Sequence, residues 1–300
     1  MNALAGISIR GRVRYDEPMS RHTSWRVGGP ADIYFQPADV QDLAGFLAGL
    51  DGGTEIHWLG LGSNLLVRDG GLRGVVIATH PGLSNLQRLE DGLVVRAEAG
   101  VACAKLARQC ARWKLGPAEF FAGIPGTVGG ALAMNAGAFD GETWQRVAAV
   151  ETVDRAGRIR TRQRLEFEVS YREVEMPAVE WFVAGLFDFE EQADASVAGI
   201  RRLLARRKES QPIGLPSCGS VFRNPPDDHA ARLIEACGMK GLRLGGAEVS
   251  GKHANFIINS GDATAADVER LIKKIQDQVR EEQGVELVAE VRIVGETLAD

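Results

Sequence analysis

Hydrophobic positions along the chain alternate between a period of two and a period of 3.6, so strands and helices are mixed throughout. Residues 20–77 read as strands around one helix over 39–50, where Val40, Leu43, Phe46, Leu47 and Leu50 keep helical spacing. Residues 93–190 repeat the arrangement on a larger scale, with strands over 93–95, 147–150 and 181–189 and an Ala-rich helix over 102–113. Val197, Ile200, Leu203 and Leu204 then share one face of a helix predicted over 194–208. Gln211-Pro212-Ile213-Gly214-Leu215-Pro216 breaks regular structure and marks a domain boundary. Beyond it the pattern predicts a short helix over 230–237, a strand over 255–259 and a long helix opened by Thr264. Asp267 stands three residues after that threonine, as in a capping box, and Val268, Leu271, Ile272, Ile275 and Val279 form the apolar stripe. A last strand is predicted over 286–294, where Leu287, Ala289, Val291 and Ile293 alternate with Glu286, Val288, Glu290 and Arg292. By periodicity alone Glu290 is a solvent-facing strand residue.

Two glycine-rich segments change the picture. Gly123, Gly126, Gly129 and Gly130 fall within eight residues around Pro125. A backbone without Cβ atoms can approach a bulky ligand, and successive amide N–H groups in such a turn suit a pyrophosphate. No lysine holds the phosphate-loop position, which excludes a Walker A loop. A helix-compatible run, 131–134, leads to Asn135 and Gly137, an order that suits phosphate contacts first and a polar contact to a flat ring second. The alternative is a tight connection with no ligand. Earlier, a strand over 56–59 is followed by Gly60-Leu61-Gly62-Ser63-Asn64, which begins like a dinucleotide fingerprint but has Leu65 in place of the third glycine. A further strand follows where a Rossmann unit needs a helix. Two donor-bearing glycine loops, neither Rossmann nor Walker, are what a flavin dinucleotide site of another fold needs.

Composition narrows the rest. At 300 residues, two or three modules are expected. The net charge of −5 argues against general nucleic-acid binding. No apolar run approaches a membrane span and the N-terminus has no signal pattern, so a cytoplasmic protein is expected. Cys103, Cys110, Cys218 and Cys237 include no Cys-x-x-Cys pair and read as reduced thiols, and the five scattered histidines predict no metal site. Arg201, Arg202, Arg206, Arg207 and Lys208 form the one dense basic cluster, either a solvated helix end or a feature near an anionic substrate.

Seven blocks in order resemble the UDP-N-acetylenolpyruvoylglucosamine reductase family. They are Thr23-Ser24-Trp25-Arg26-Val27-Gly28-Gly29-Pro30-Ala31, the Gly60 to Asn64 loop, the Gly123 to Gly137 segment, Ser170-Tyr171-Arg172, Pro216-Ser217-Cys218-Gly219-Ser220-Val221-Phe222-Arg223-Asn224-Pro225, Val249-Ser250-Gly251-Lys252-His253-Ala254-Asn255-Phe256 and Glu290-Val291-Arg292. The resemblance implies an α+β fold: a two-subdomain FAD-binding region of the vanillyl-alcohol-oxidase type over 1–208 (about 1–80 and 81–208), then a C-terminal α/β substrate-binding domain over 209–300 whose last strand returns Glu290 to the active site. With 69 residues between Ser220 and Glu290, the chain resembles the family's shorter form, which lacks a tyrosine-bearing insertion.

The same resemblance implies non-covalent FAD, NADPH as co-substrate and an enolpyruvyl UDP-sugar as substrate, in a monomer without nucleic-acid or membrane partners. Hydride added to the vinyl carbon leaves charge on the adjacent carbon and its carboxylate, which needs an electrostatic partner and a proton donor. Matching positions make Ser220 the donor and Arg172 and Glu290 the stabilising groups. Without the motif, Ser220 would be a turn serine and Arg172 a surface arginine pairing with Glu173 or Glu175. Carried over as cofactor contacts are Arg26, Gly28, Gly62, Ser63, Asn64, Gly123, Ile124, Gly126, Gly129, Gly130, Asn135 and Gly137; as substrate contacts, Tyr171, Lys208, Arg223, Asn224, His253 and Asn255. Two departures stand out: Asp140 where glycine is usual, and Cys218 where a small apolar residue is usual. A related FAD-dependent oxidase of an alcohol or sugar would share the glycine loops but has no reason to keep Gly219-Ser220, Asn224-Pro225 and Glu290 together. A non-catalytic sugar-nucleotide sensor has no reason to keep Arg172, Ser220 and Glu290.

Overall fold

The computed structural model describes Leu4, residues 6–90 and residues 92–298. The chain divides into two compact units: Met1–Arg14, Ile33–Leu61 and Gly74–Leu204 form the first, and Tyr15–Asp32, Gly62–Arg73 and Ala205–Asp300 the second.

The first unit holds a five-stranded antiparallel sheet in the order Ile159–Gln163, Val147–Asp154, Glu180–Asp188, Val94–Glu98, Leu86–Arg88. Its central strands are apolar because both faces are covered: Val150, Val153, Val183, Ala184 and Phe187 are buried. The helix Cys103–Trp113 packs Leu106, Ala107 and Cys110 into this core, and Phe121 meets Phe187 edge-on with centroids 5.3 Å apart. The helix Val40–Gly49 is started by Asp39, whose carboxylate accepts from the Asp42 N–H at 2.9 Å. It presses Phe46 against Phe35 of the strand Pro30–Gln36, with centroids 3.8 Å apart.

The second unit is built on an antiparallel sheet, Arg243–Leu244, Ala247–Val249, Ile257–Asn259, and the helix Ala265–Gln283. Thr264 and Asp267 form the expected capping box, and the stripe from Val268 to Val279 is fully buried. The division departs from a linear split at residue 208, because two early segments belong to this unit. Trp25 is buried, donates through Nε1 to the Ile257 carbonyl at 2.8 Å, and its own carbonyl accepts from Asn259 Nδ2 at 2.9 Å. Leu65–Val67 pairs in parallel with Arg292–Val294, and Arg68 makes a forked contact to Glu269 at 2.9 and 2.7 Å. The last strand is only Arg292–Val294, shorter than 286–294, because residues before it are held by single bonds to the loop after Cys218 rather than by a ladder. The alternation survives without the strand: Leu287 and Val291 are buried and Glu290 is half-buried.

Candidate active site

In the first unit the strand Ile56–Leu59 ends at Gly60, and the place of its missing Cβ is taken by Thr127: a Cβ there would stand 2.4 Å from Thr127 Oγ1. Thr127 is 1 % exposed, and its Oγ1 has no hydrogen-bond partner among the described residues. A buried hydroxyl left unpaired costs about 1–3 kcal/mol, which a ligand oxygen would offset. Gly130 beside it is exposed, and a Cβ there would meet only Thr127 Oγ1 at 3.9 Å. An open glycine beside an unpartnered hydroxyl fits a phosphate of a dinucleotide. Other residues of this segment make backbone bonds and close contacts within the first unit. A Cβ on Gly129 would press on Ala99 at 2.9 Å, and the N–H groups of Gly129, Val128 and Ile124 already donate to Ala99, Val101 and Phe121. Gly126 accepts from the Cys103 N–H at 3.0 Å, and Gly123 and Ile124 are buried in the same connection. In the sequence the only mark of Thr127 is a hydroxyl between Gly126 and the pair Gly129-Gly130; its burial without a partner among the described residues shows only in the fold.

Asn135 is 2 % exposed and its amide is engaged: Nδ2 donates to Glu142 Oε2 at 2.9 Å and the Ser170 carbonyl at 3.0 Å, and Oδ1 accepts from the Trp144 N–H at 3.1 Å. Phe139 and Asp140 form the turn between Gly137–Ala138 and Gly141–Glu142 with φ of +51° and +64°. Positive φ at both central positions is the type I′ pattern, and aspartate tolerates it, so the turn needs no glycine at 140. Arg172 ends a second two-residue turn, between Glu168–Ser170 and Glu173–Glu175, at φ +60°. Its guanidinium lies over the Tyr171 ring at 4.8 Å and donates to the Asn135 carbonyl at 3.2 Å and, more weakly, to the Gly137 carbonyl at 3.5 Å.

In the second unit Gly62, at φ +61°, passes so close to the chain that a Cβ would stand 2.0 Å from the His22 carbonyl. Its own carbonyl accepts from Ser24 at 3.0 Å, which ties the turn bearing Arg26 and Gly28 to the loop bearing Ser63 and Asn64. Asn64 Nδ2 donates to the Glu290 carbonyl at 2.9 Å, and its own carbonyl accepts from Arg292 N–H at 3.1 Å. The Glu290 N–H donates to the Val221 carbonyl at 2.8 Å, so Glu290 is held beside Ser220, 70 residues away in sequence. Asn255 fixes the other side of that loop: Oδ1 accepts from the Phe222 N–H and Nδ2 donates to the Phe222 carbonyl, both at 2.9 Å. Burial and the Glu290 charge push the Cys218 thiol well above its ordinary pKa, which keeps it protonated and unreactive.

The candidate substrate residues of this unit are spread over several segments. Arg223 N–H donates to the Val288 carbonyl at 2.9 Å, and Asn224 Oδ1 accepts from the Ala230 N–H at 3.2 Å, where the helix Ala230–Ala236 begins. Lys208 lies exposed on the helix Val197–Ser210, and its carbonyl accepts from Lys252 Nζ. His253 packs edge-on against Phe256 at 4.9 Å, and burial together with the Lys240 and Arg207 charges lowers its pKa.

The chain matches the family described as UDP-N-acetylenolpyruvoylglucosamine reductase, C-terminal domain, over residues 211–294, and the FAD binding domain over residues 31–162. The UDP-N-acetylenolpyruvoylglucosamine reductase of Alkalilimnicola ehrlichii is 60 % identical over 287 residues, spanning 95 % of this chain and 96 % of that protein. This chain belongs to that reductase family. The family's Methylococcus capsulatus member is 56 % identical over 97 % of this chain and 95 % of its own length. The crystal structure of the Thermus caldophilus reductase superposes with a TM-score of 0.79 at 31 % identity, covering 95 % of this chain and 99 % of that one. The α+β fold is therefore the reductase family's, with an FAD-binding domain followed by the reductase C-terminal domain.

Proposed function

We propose that this chain reduces the enolpyruvyl group of UDP-N-acetylglucosamine enolpyruvate to UDP-N-acetylmuramate, a peptidoglycan precursor, with non-covalent FAD and with NADPH as reductant. The observation that carries this reading is family membership along nearly the whole chain, joined to the bond that holds Glu290 beside the Ser220 loop. Within the first unit, Thr127 and Gly130 are the residues that would hold a phosphate of FAD. FAD, when bound, supplies hydride transfer; the chain supplies orientation and electrostatics.

Ser220, half-buried behind Gly219, donates the proton to the carbon next to the substrate carboxylate. Arg172 carries a permanent charge on a planar fork that matches a carboxylate gaining charge. Glu290 shares in stabilising that charge. Tyr171, Lys208, Arg223, Asn224 and His253 are the proposed contacts to the UDP-sugar. The proposed setting is a monomer in the cytoplasm, where NADPH and nucleotide sugars are made.

Ser220→Ala tests the assignment. Stopped-flow flavin absorbance should show reduction by NADPH at near wild-type rate and reoxidation by the enolpyruvyl UDP-sugar slowed by about 10²–10⁴-fold, the range for a lost general acid. Normal reoxidation would remove Ser220 from the mechanism, and a colourless protein that takes up no FAD would sink the whole reading.

A further inference from the structure

We infer that Asn135 is a positioning residue for Arg172, acting on the substrate half of the reaction rather than as a ring contact to the cofactor. The inference rests on the proposed role of Arg172. Arg172 occupies a costly place, because non-glycine residues seldom sit at φ +60° and the turn it ends is exposed at Tyr171. Something must hold both the turn and the guanidinium, and Asn135 touches both. Its amide donates to the Ser170 carbonyl, two residues before Arg172, and Ser170 is the residue that pairs with Glu173 to close the turn. Its carbonyl accepts from the guanidinium itself. Asn135 is in turn fixed by Glu142 Oε2 and by the Trp144 N–H, and it sits at φ +42°, a conformation asparagine tolerates better than most residues.

The acceptors matter chemically. The Asn135 and Gly137 carbonyls are neutral acceptors, so they orient the guanidinium without adding a charge of their own beside it. Gly137 contributes by its missing side chain, since a Cβ there would stand 3.4 Å from Arg172 Nη1 and 2.5 Å from the Gly141 carbonyl. A ring-contacting asparagine would need amide capacity directed at the ligand. Here both Nδ2 protons and one Oδ1 lone pair are spent within the first unit.

The test is a double-mutant cycle on FAD-loaded enzyme, with both half-reactions followed by stopped-flow absorbance. Asn135→Ala should accept hydride from NADPH within about 2-fold of wild type and reoxidise with the enolpyruvyl UDP-sugar about 10-fold or more slower. In an Arg172→Ala background the same change should cost less than about 3-fold, because coupled residues are not additive. Asn135→Ser, which adds no charge beside Glu142 and is too short to reach the Ser170 carbonyl, should show the same selective slowing if the alanine variant folds poorly. Fully additive losses, or unchanged reoxidation in a chain where Arg172→Ala is slow, would overturn the inference while leaving Arg172 in place. Loss of FAD with equal slowing of both halves would return Asn135 to the cofactor. An Arg172→Ala enzyme with normal reoxidation would remove the role of Arg172 itself, and the inference with it.

Discussion

Asn255 offers the sharpest separation between a residue that binds substrate and one that builds the loop on which catalysis depends. Its side chain is 3 % exposed and makes two hydrogen bonds, each 2.9 Å, to the N–H and carbonyl of Phe222, itself 1 % exposed. Asn255→Ala leaves both backbone groups buried and unpaired. At about 1–3 kcal/mol for each, partly relieved by water entering the space, the loss should be roughly 2–4 kcal/mol. For domains of about 150–250 residues 1 kcal/mol moves Tm by about 2–4 °C, so a fall of at least about 4 °C is expected by calorimetry. Asn255→Asp keeps the acceptor but buries a carboxylate oxygen against the Phe222 carbonyl, so it should fall at least as far. Because Ser220 is two residues before Phe222, reoxidation should also slow, as a displacement of about 1 Å at a reacting group can cost about 10²-fold. A variant with unchanged Tm and weakened substrate binding would refute this reasoning and make Asn255 a direct ligand.

Two further changes test other parts of the molecule. Gly130→Val projects into open space and should fold normally, yet FAD content by absorbance should drop; full occupancy would move the phosphate site away from Thr127. His253 is held below its usual pKa of 6.5 by burial and by Lys240 and Arg207. The unfolded chain therefore takes up the proton first, and stability should fall as pH drops from about 6.5 towards the folded-state value, with no contribution above 6.5. His253→Gln should flatten Tm against pH between 7 and 5 relative to wild type, and an identical slope would refute the shift.

Local order determined a good deal of this protein by itself. The stripe Val268 to Val279 and the Thr264 cap specify their helix without help, because both periodicity and capping act over one or two turns. The glycine loops and the motif around Ser220 carry the family, and hence the cofactor and the chemistry, as residue identities in order. Other features were decided only by the tertiary structure, since each depends on partners far along the chain. Glu290 lies on a segment whose alternation predicts a strand, but its place is set by Val221 and Asn64, 69 and 226 residues away. Residues 62–73 read as a continuation of the first subdomain, yet Arg292–Val294 and Glu269 draw them into the second unit. Asn135 and Asn255 look like ligand contacts because a polar residue in a glycine-rich or motif segment usually faces a ligand. In the fold their amides bond the buried Trp144 N–H and the buried Phe222 N–H and carbonyl, a demand that exists only once burial has removed water from those groups.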